Sequence, residues 1–124
     1  MHDSPDHTSA ASEPAASDPA TPAHGYDPRA VEVFGYAELP RADATTEQIR
    51  RLCAQWRETT ALDDAALRAQ LRADRVDILI DIAGHTARNR LQALAVKAAP
   101  VTATWVGYPT TTGLRTIDWR ITDA

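Results

Sequence analysis

Apolar residues recur along the chain with two periods, and the points where the period changes mark out its elements. Val31-Glu32-Val33-Phe34-Gly35-Tyr36 reads as a short strand, closed by Pro40. Thr45 and Gln48 have capping-box spacing. Ile49, Leu52, Cys53 and Trp56 follow at i, i+3, i+4 and i+7, which predicts an amphipathic helix with Trp56 completing its core stripe. A second helix starts at Asp63 as N-cap and runs through Leu67 and Leu71 to about Ala73. The run from Val76 to Ile82 is β-rich and apolar, as expected of a strand covered on both faces. After a turn at Ala83-Gly84, Leu91, Leu94, Ala95 and Ala98 again have helical spacing, and Pro100 stops that helix. Val101 to Val106 reads as a further strand, Gly107 to Thr116 as a Gly/Pro/Thr loop, and Ile117 to Thr122 as a last short strand. This order predicts an α/β domain with a mainly parallel sheet over residues 29–124. Trp105 is placed in the sheet interior, and Trp119 is left unassigned.

Residues 1–28 show neither period. They are rich in Ala, Ser, Pro, Asp and Thr and bury too little apolar surface to offset ordering entropy, so the sequence predicts a disordered tail there. Charge sharpens that boundary. The formal net charge is -4, yet Asp3, Asp6, Glu13, Asp18 and Asp27 fall in the tail without a Lys or Arg. The remainder is close to neutral and has no basic stripe, so neither nucleic acid nor an anionic membrane is expected as a partner.

Cys53, the single cysteine, excludes a disulfide framework and a cysteine metal site, and its place on an apolar stripe predicts a small buried hydrophobe. His2, His7 and His24 scatter through the tail with no ligand spacing, so no metal is expected. No basic start with an apolar run opens the chain, and no apolar stretch is long enough to span a membrane. A cytoplasmic setting is the default expectation. At 124 residues the chain suits one small domain, not a two-lobed enzyme.

Ligands of open α/β sheets bind beyond the carboxyl ends of the strands. Two such ends carry unusual residues. Gly84-His85-Thr86 follows Ile82 at the expected start of the helix bearing Leu91, where free N–H groups favour an anion or a hydroxyl-rich ligand. Gly107-Tyr108-Pro109, three threonines and Gly113 follow Val106. Taken as composition neither loop is specific: Gly-Tyr-Pro is an ordinary turn, and a lone histidine after a strand is ordinarily a structural hydrogen-bonding residue. Parallel neighbouring strands would bring both loops to one rim, and that makes them a candidate site.

Ordered runs carry a resemblance. They are Asp77 through Thr86, Asn89-Arg90-Leu91, Ala99-Pro100-Val101, Trp105 through Pro109, Thr111-Thr112-Gly113 and Asp118 through Asp123. In order and spacing they resemble bacterial O-linked N-acetylglucosamine transferases, a family with tetratricopeptide-repeat and plant SPINDLY-like members. Weaker similarity reaches back through Trp56 and Val31–Tyr36, and none is seen in residues 1–28.

The resemblance implies one incomplete Rossmann-like lobe of a GT-B glycosyltransferase, which moves N-acetylglucosamine from UDP-GlcNAc to Ser or Thr hydroxyls of a protein acceptor. Inversion and no cofactor or essential metal are implied with it. Gly84, His85 and Thr86 match a stretch bordering the sugar pocket. Val106, Gly107, Tyr108 and Pro109 match the stretch whose backbone lies against the sugar, and Thr111 belongs to the same loop. Thr110 and Arg88 stand where the family often has a small residue or Gly. The family's upstream strand with its histidine loop is not recognised in residues 1–28, and its second lobe would follow Ala124. The expectation is therefore a lobe fragment inactive alone, completed by a chain carrying the missing lobe, with an apolar strand edge left open at Val31–Tyr36 and Val76–Ile82.

Two other readings use the same residues. A non-catalytic interaction remnant fits the same resemblance. A receiver-like signalling module would use Asp81 as phosphoacceptor, but it lacks the acidic pair after Val31–Tyr36, and the only lysine, Lys97, lies within an expected helix.

Overall fold

The structure, a computed structural model, describes residues 25–105 and 111–123. Its elements run β1 (Phe34–Ala37), α1 (Ala44–Arg51), β2 (Gln55–Glu58), α2 (Asp64–Ala73), β3 (Ile78–Asp81), α3 (Leu91–Leu94), β4 (Val101–Trp105) and β5 (Trp119–Ile121). β1 pairs with β2, and a second sheet has the order β3-β4-β5. Both pairings in that second sheet are parallel, with Ile80 opposite Ala103 and Ala103 opposite Trp119. The α/β class and the parallel sheet expected from the sequence are the observed ones. The chain divides into two compact units, one of residues 1–35 and 42–56, the other of 36–41 and 57–124. Residues 1–24, most of the expected disordered tail, lie outside the described residues.

In the first unit, α1 begins two residues earlier than its expected box. Asp43 is the N-cap: its carboxylate accepts from Thr46 N at 2.8 Å, and the Thr46 hydroxyl accepts from Asp43 N. Both orphan donors at the helix start are thereby used. The helix also ends before the apolar stripe does. Leu52 is its C-cap, and the next residues turn outward, so that Ala54 N and Gln55 N donate to Val33 O. Trp56 therefore lies on a strand the periodicity did not reveal, which is a correction to the predicted helix. Ile49 and Leu52 stay exposed. Tyr26 is engaged here, its hydroxyl donating to Leu52 O at 2.8 Å.

The core sits in the second unit. Leu67 and Leu71 of α2 pack with Ala93 and Ala98, and Tyr36, Leu62, Val76 and Leu79 close around them. Asp63 caps α2 as expected, accepting from Ala66 N at 2.7 Å. The third helix is shorter than predicted. Thr116 Oγ1 donates to Leu94 O, an acceptor that a continuing helix would have used for its own backbone N–H. Lys97 then reaches Asp118, which also accepts from Thr102 N at 2.8 Å and holds the segment before β5 against β4.

Two burial expectations fail in this unit. β3 is covered on one face only, since Leu79 joins the core while Ile78, Ile80 and Ile82 are exposed. Trp105, expected in the sheet interior, is half exposed on the same open side as Trp119. Among the described residues β1 pairs on one side only, with β2, and β3 on one side only, with β4, so each keeps an unpaired strand edge, as expected.

Candidate functional site

The second unit brings the two candidate loops together. β3 and β4 are neighbouring parallel strands, so the loops that follow them leave from the same end of the sheet. His85, from the first loop, places Nε2 3.0 Å from the carbonyl oxygen of Thr111, in the second. A carbonyl only accepts, so Nε2 carries the proton in that contact. His85, Thr86 and Thr111 are exposed, whereas Gly84 is buried. Val106, Gly107, Tyr108 and Pro109 lie outside the described residues, as does Thr110.

The first loop is built by Asp81, the last residue of β3. Its carboxylate accepts from Ala83 N at 3.2 Å and Gly84 N at 3.0 Å, and from the Thr104 hydroxyl on β4 at 3.2 Å. Gly84 turns with a φ of 54°, in the left-handed region glycine enters without a Cβ clash. Thr86 closes the turn, donating both N–H and hydroxyl to Ala83 O. Asn89 donates its side-chain amide to Thr86 O and accepts from Leu91 N. The loop is therefore a string of turns, and α3 starts only at Leu91, with Arg90 as an N-cap without a side-chain cap bond. This corrects the expectation that Gly84-His85-Thr86 opens a helix, since α3 starts five residues after Thr86. In the second loop, Thr111 and Thr112 hydroxyls accept from Gly113 N and Leu114 N. Those two threonines thus hold their own turn.

Asp81 and Arg90 were not singled out for these roles by the sequence. An Asp at a strand end, two residues before Ala83-Gly84, is an Asx-turn signal. Arg90 had no local signal. Its guanidinium donates to Glu38, to Asp64 Oδ1 at 3.2 and 3.3 Å, and to the carbonyls of Thr59 (3.2 Å) and Leu62 (2.8 Å). All five donors are used, so Arg90 is a clamp. An open cleft of about 640 Å³ beside it is bounded by Glu38, Asp63, Asp64 and Arg88. Arg88 has a φ of 64°, in the left-handed region that favours glycine.

A model of glycosyl transferase family 41 matches residues 19–124. The chain belongs to that family. The match opens ahead of Arg29, inside the segment in which no likeness was recognised. Among similar proteins are two described as probable UDP-N-acetylglucosamine–peptide N-acetylglucosaminyltransferases SPINDLY. Those of Eustoma exaltatum subsp. russellianum and Solanum lycopersicum are each 43% identical over 75% of this chain. A UDP-N-acetylglucosamine–peptide N-acetylglucosaminyltransferase of Caenorhabditis elegans is 38% identical over 44% of it. A mutant O-GlcNAc transferase of Thermobaculum terrenum superposes with a TM-score of 0.78 at 40% identity over 82% of this chain. The chain spans about a tenth of the two plant relatives, 11% and 10%, and 19% of that solved chain.

Family 41 membership removes the receiver-like reading. The carboxylate that reading needs exposed, Asp81, is instead spent on loop N–H groups and Thr104. Cys53 is half-buried, and burial pushes its thiol up, away from nucleophilic use. Among the described residues, no group of three or more His, Cys, Asp or Glu side chains is placed to hold a metal ion, and no helix is long and apolar enough to cross a membrane.

Proposed function

We propose that this chain forms part of the amino-terminal catalytic lobe of a protein O-GlcNAc transferase, and that the rim beyond β3 and β4 borders the sugar of UDP-GlcNAc. The observation that carries the reading is the His85–Thr111 contact, which links the two loops at the strand end where α/β sheets bind ligands. In this reading Gly84, His85 and Thr86 border the pocket, while backbone at Val106, Gly107, Tyr108 and Pro109, with Thr111, holds sugar hydroxyls in a fixed orientation. Fixed orientation lowers the barrier by pre-paying the entropy of alignment.

A Ser or Thr hydroxyl of a protein acceptor forms the new bond to C1 of the sugar on the face opposite UDP, UDP leaves with the C1–O bond electrons, and the hydroxyl proton passes to the departing diphosphate or to water. No resident cofactor or metal is called for. The remaining lobe, in the same polypeptide or a complementary one, would hold most of the nucleotide, so 124 residues alone should show no turnover. The relatives named as peptide N-acetylglucosaminyltransferases support the substrate class.

A graft tests this. Residues 29–124 replace the matching stretch of the Thermobaculum terrenum enzyme, and transfer from UDP-GlcNAc to a peptide is measured. Transfer should persist and fall at least tenfold with His85→Ala. A folded graft without transfer, or one indifferent to His85→Ala, would overturn the proposal.

A further inference from the structure

The loop that carries His85 is fastened at both ends by a charged side chain. At its entry the Asp81 carboxylate takes the N–H groups of Ala83 and Gly84 and the Thr104 hydroxyl, which fixes that end to β4. At its exit stands Arg90, the N-cap of α3. The turns between them pass position along the chain. Asn89 donates to Thr86 O, Thr86 donates to Ala83 O, and His85 sits between Gly84 and Thr86 while its ring meets Thr111.

Arg90 ties this exit to three other segments of the same unit: Glu38 after β1, the Thr59 and Leu62 carbonyls after β2, and Asp64 in the first turn of α2. Glu38 is held in turn by the Thr59 hydroxyl at 2.7 Å, and Thr59 is buried. The Arg90 side chain is itself only 18% exposed. Desolvation of a guanidinium and its carboxylates can cancel the attraction between them, so stability is a poor account of a cation at this place. What the planar fork supplies is direction, because five N–H groups in one plane admit one arrangement of the segments around them. α3 does not supply that direction alone, being four residues long and too short to be stable by itself.

We propose that Arg90 is a positioning residue for sugar transfer: it fixes the exit of the loop and, through Asn89 and Thr86, sets where His85 stands at the rim. The inference rests on the reading of that rim as the border of the sugar, and it gives Arg90 no contact with sugar or acceptor. A fork that only stabilised the fold would act on every part of the unit alike. One that positions the loop acts on the orientation of the sugar. Orientation enters the rate of transfer more than the binding of either substrate, since the other lobe would hold most of the nucleotide.

Arg90→Lys keeps the charge and loses the plane, so it separates pairing from direction. Amide exchange, followed by NMR on the 124-residue chain, should quicken at least fivefold at Thr86 and Asn89 and stay within twofold at Leu71 of α2. In the Thermobaculum terrenum graft the same variant should lower kcat at least tenfold, with KM for UDP-GlcNAc and for the peptide held within threefold. Asp74→Asn loosens α2 at its C-cap and leaves the clamp intact. It should lower the melting temperature of the graft and change kcat by no more than twofold. Unaltered exchange at Thr86 and Asn89, an unaltered kcat, or a kcat that Asp74→Asn lowers equally overturns the proposal. So does exchange raised equally at Leu71, or an Arg90→Lys chain that no longer folds, since either gives Arg90 a role in the fold alone. A graft inactive with Arg90 in place removes the sugar reading instead, and exchange at Thr86 and Asn89 then decides by itself whether Arg90 positions the loop.

Discussion

Asp74, the C-cap of α2, holds three side chains at once. Arg57 grips both carboxylate oxygens, at 2.8 and 3.2 Å, while Tyr36 donates at 2.5 Å and Gln70 at 3.0 Å. The Arg57 bond is the main reason its acidity is held to about 2; burial opposes the shift, and Tyr36 and Gln70 reinforce it. A folded-state value below the unfolded one gives stability that is complete above the ordinary carboxylate range and is lost as pH falls from about 4 towards 2. Arg57 is 35% exposed, so solvent screens part of the pair, and the loss should be about 1–2 kcal/mol. Urea unfolding at pH 5 and pH 2.5 measures it. Asp74→Asn should remove that part of the acid dependence; an unchanged slope would refute the account. Tyr36 answers at the other end: burial first, then the Asp74 bond, push its phenol up, so its contribution is lost above about pH 10.

Among the elements, β1 and β2 depend on one close approach. A Cβ built on Gly35 would lie 2.6 Å from Cε3 of Trp56, inside any real contact distance. Gly35 is thus there for lack of volume, since its φ is ordinary, and the indole ring lies over it as over a shelf. Gly35→Ala must push the ring away. The expected cost is about 1–3 kcal/mol, the usual range for overpacking. The intrinsic fluorescence of Trp56, isolated with Trp105→Phe and Trp119→Phe, should shift to longer wavelength in the same variant. Unaltered emission with unaltered stability would show that the ring yields freely.

For the whole molecule, burial is uneven. Among the described residues, every buried apolar side chain, from Ala37 to Ala103, belongs to the second unit, and Leu71 and Ala93 are the least exposed. Local opening is easiest where few apolar contacts are buried. Native-state hydrogen exchange should therefore leave the slowest amides in α2 and β4. Those of α1 should exchange at least tenfold faster. Equal protection in α1 and α2 would mean that the first unit is held by something other than apolar burial.

Local chemistry made much of this legible. The Asp63 cap, the apolar spacing of Leu67 and Leu71, and the strands around Ile78–Asp81 and Val101–Trp105 are fixed by neighbours a few residues away, so the chain announces them. The family runs and the two rim loops were visible for the same reason, because backbone geometry at Gly84 constrains nearby residues. What failed depended on distant partners. Trp56 continued a helical stripe, but the Val33 carbonyl drew the backbone before it into β2. Leu94, Ala95 and Ala98 promised a full helix, and the Thr116 hydroxyl took the carbonyl it needed. Arg90 had no local role to announce; its partners, Glu38, Thr59, Leu62 and Asp64, are 26 or more residues away. The apolar run of β3 told how hydrophobic that strand is. Which of its faces is covered was decided by where α2 and α3 pack, because a hydrophobic pattern states a demand for burial and only the tertiary structure supplies it.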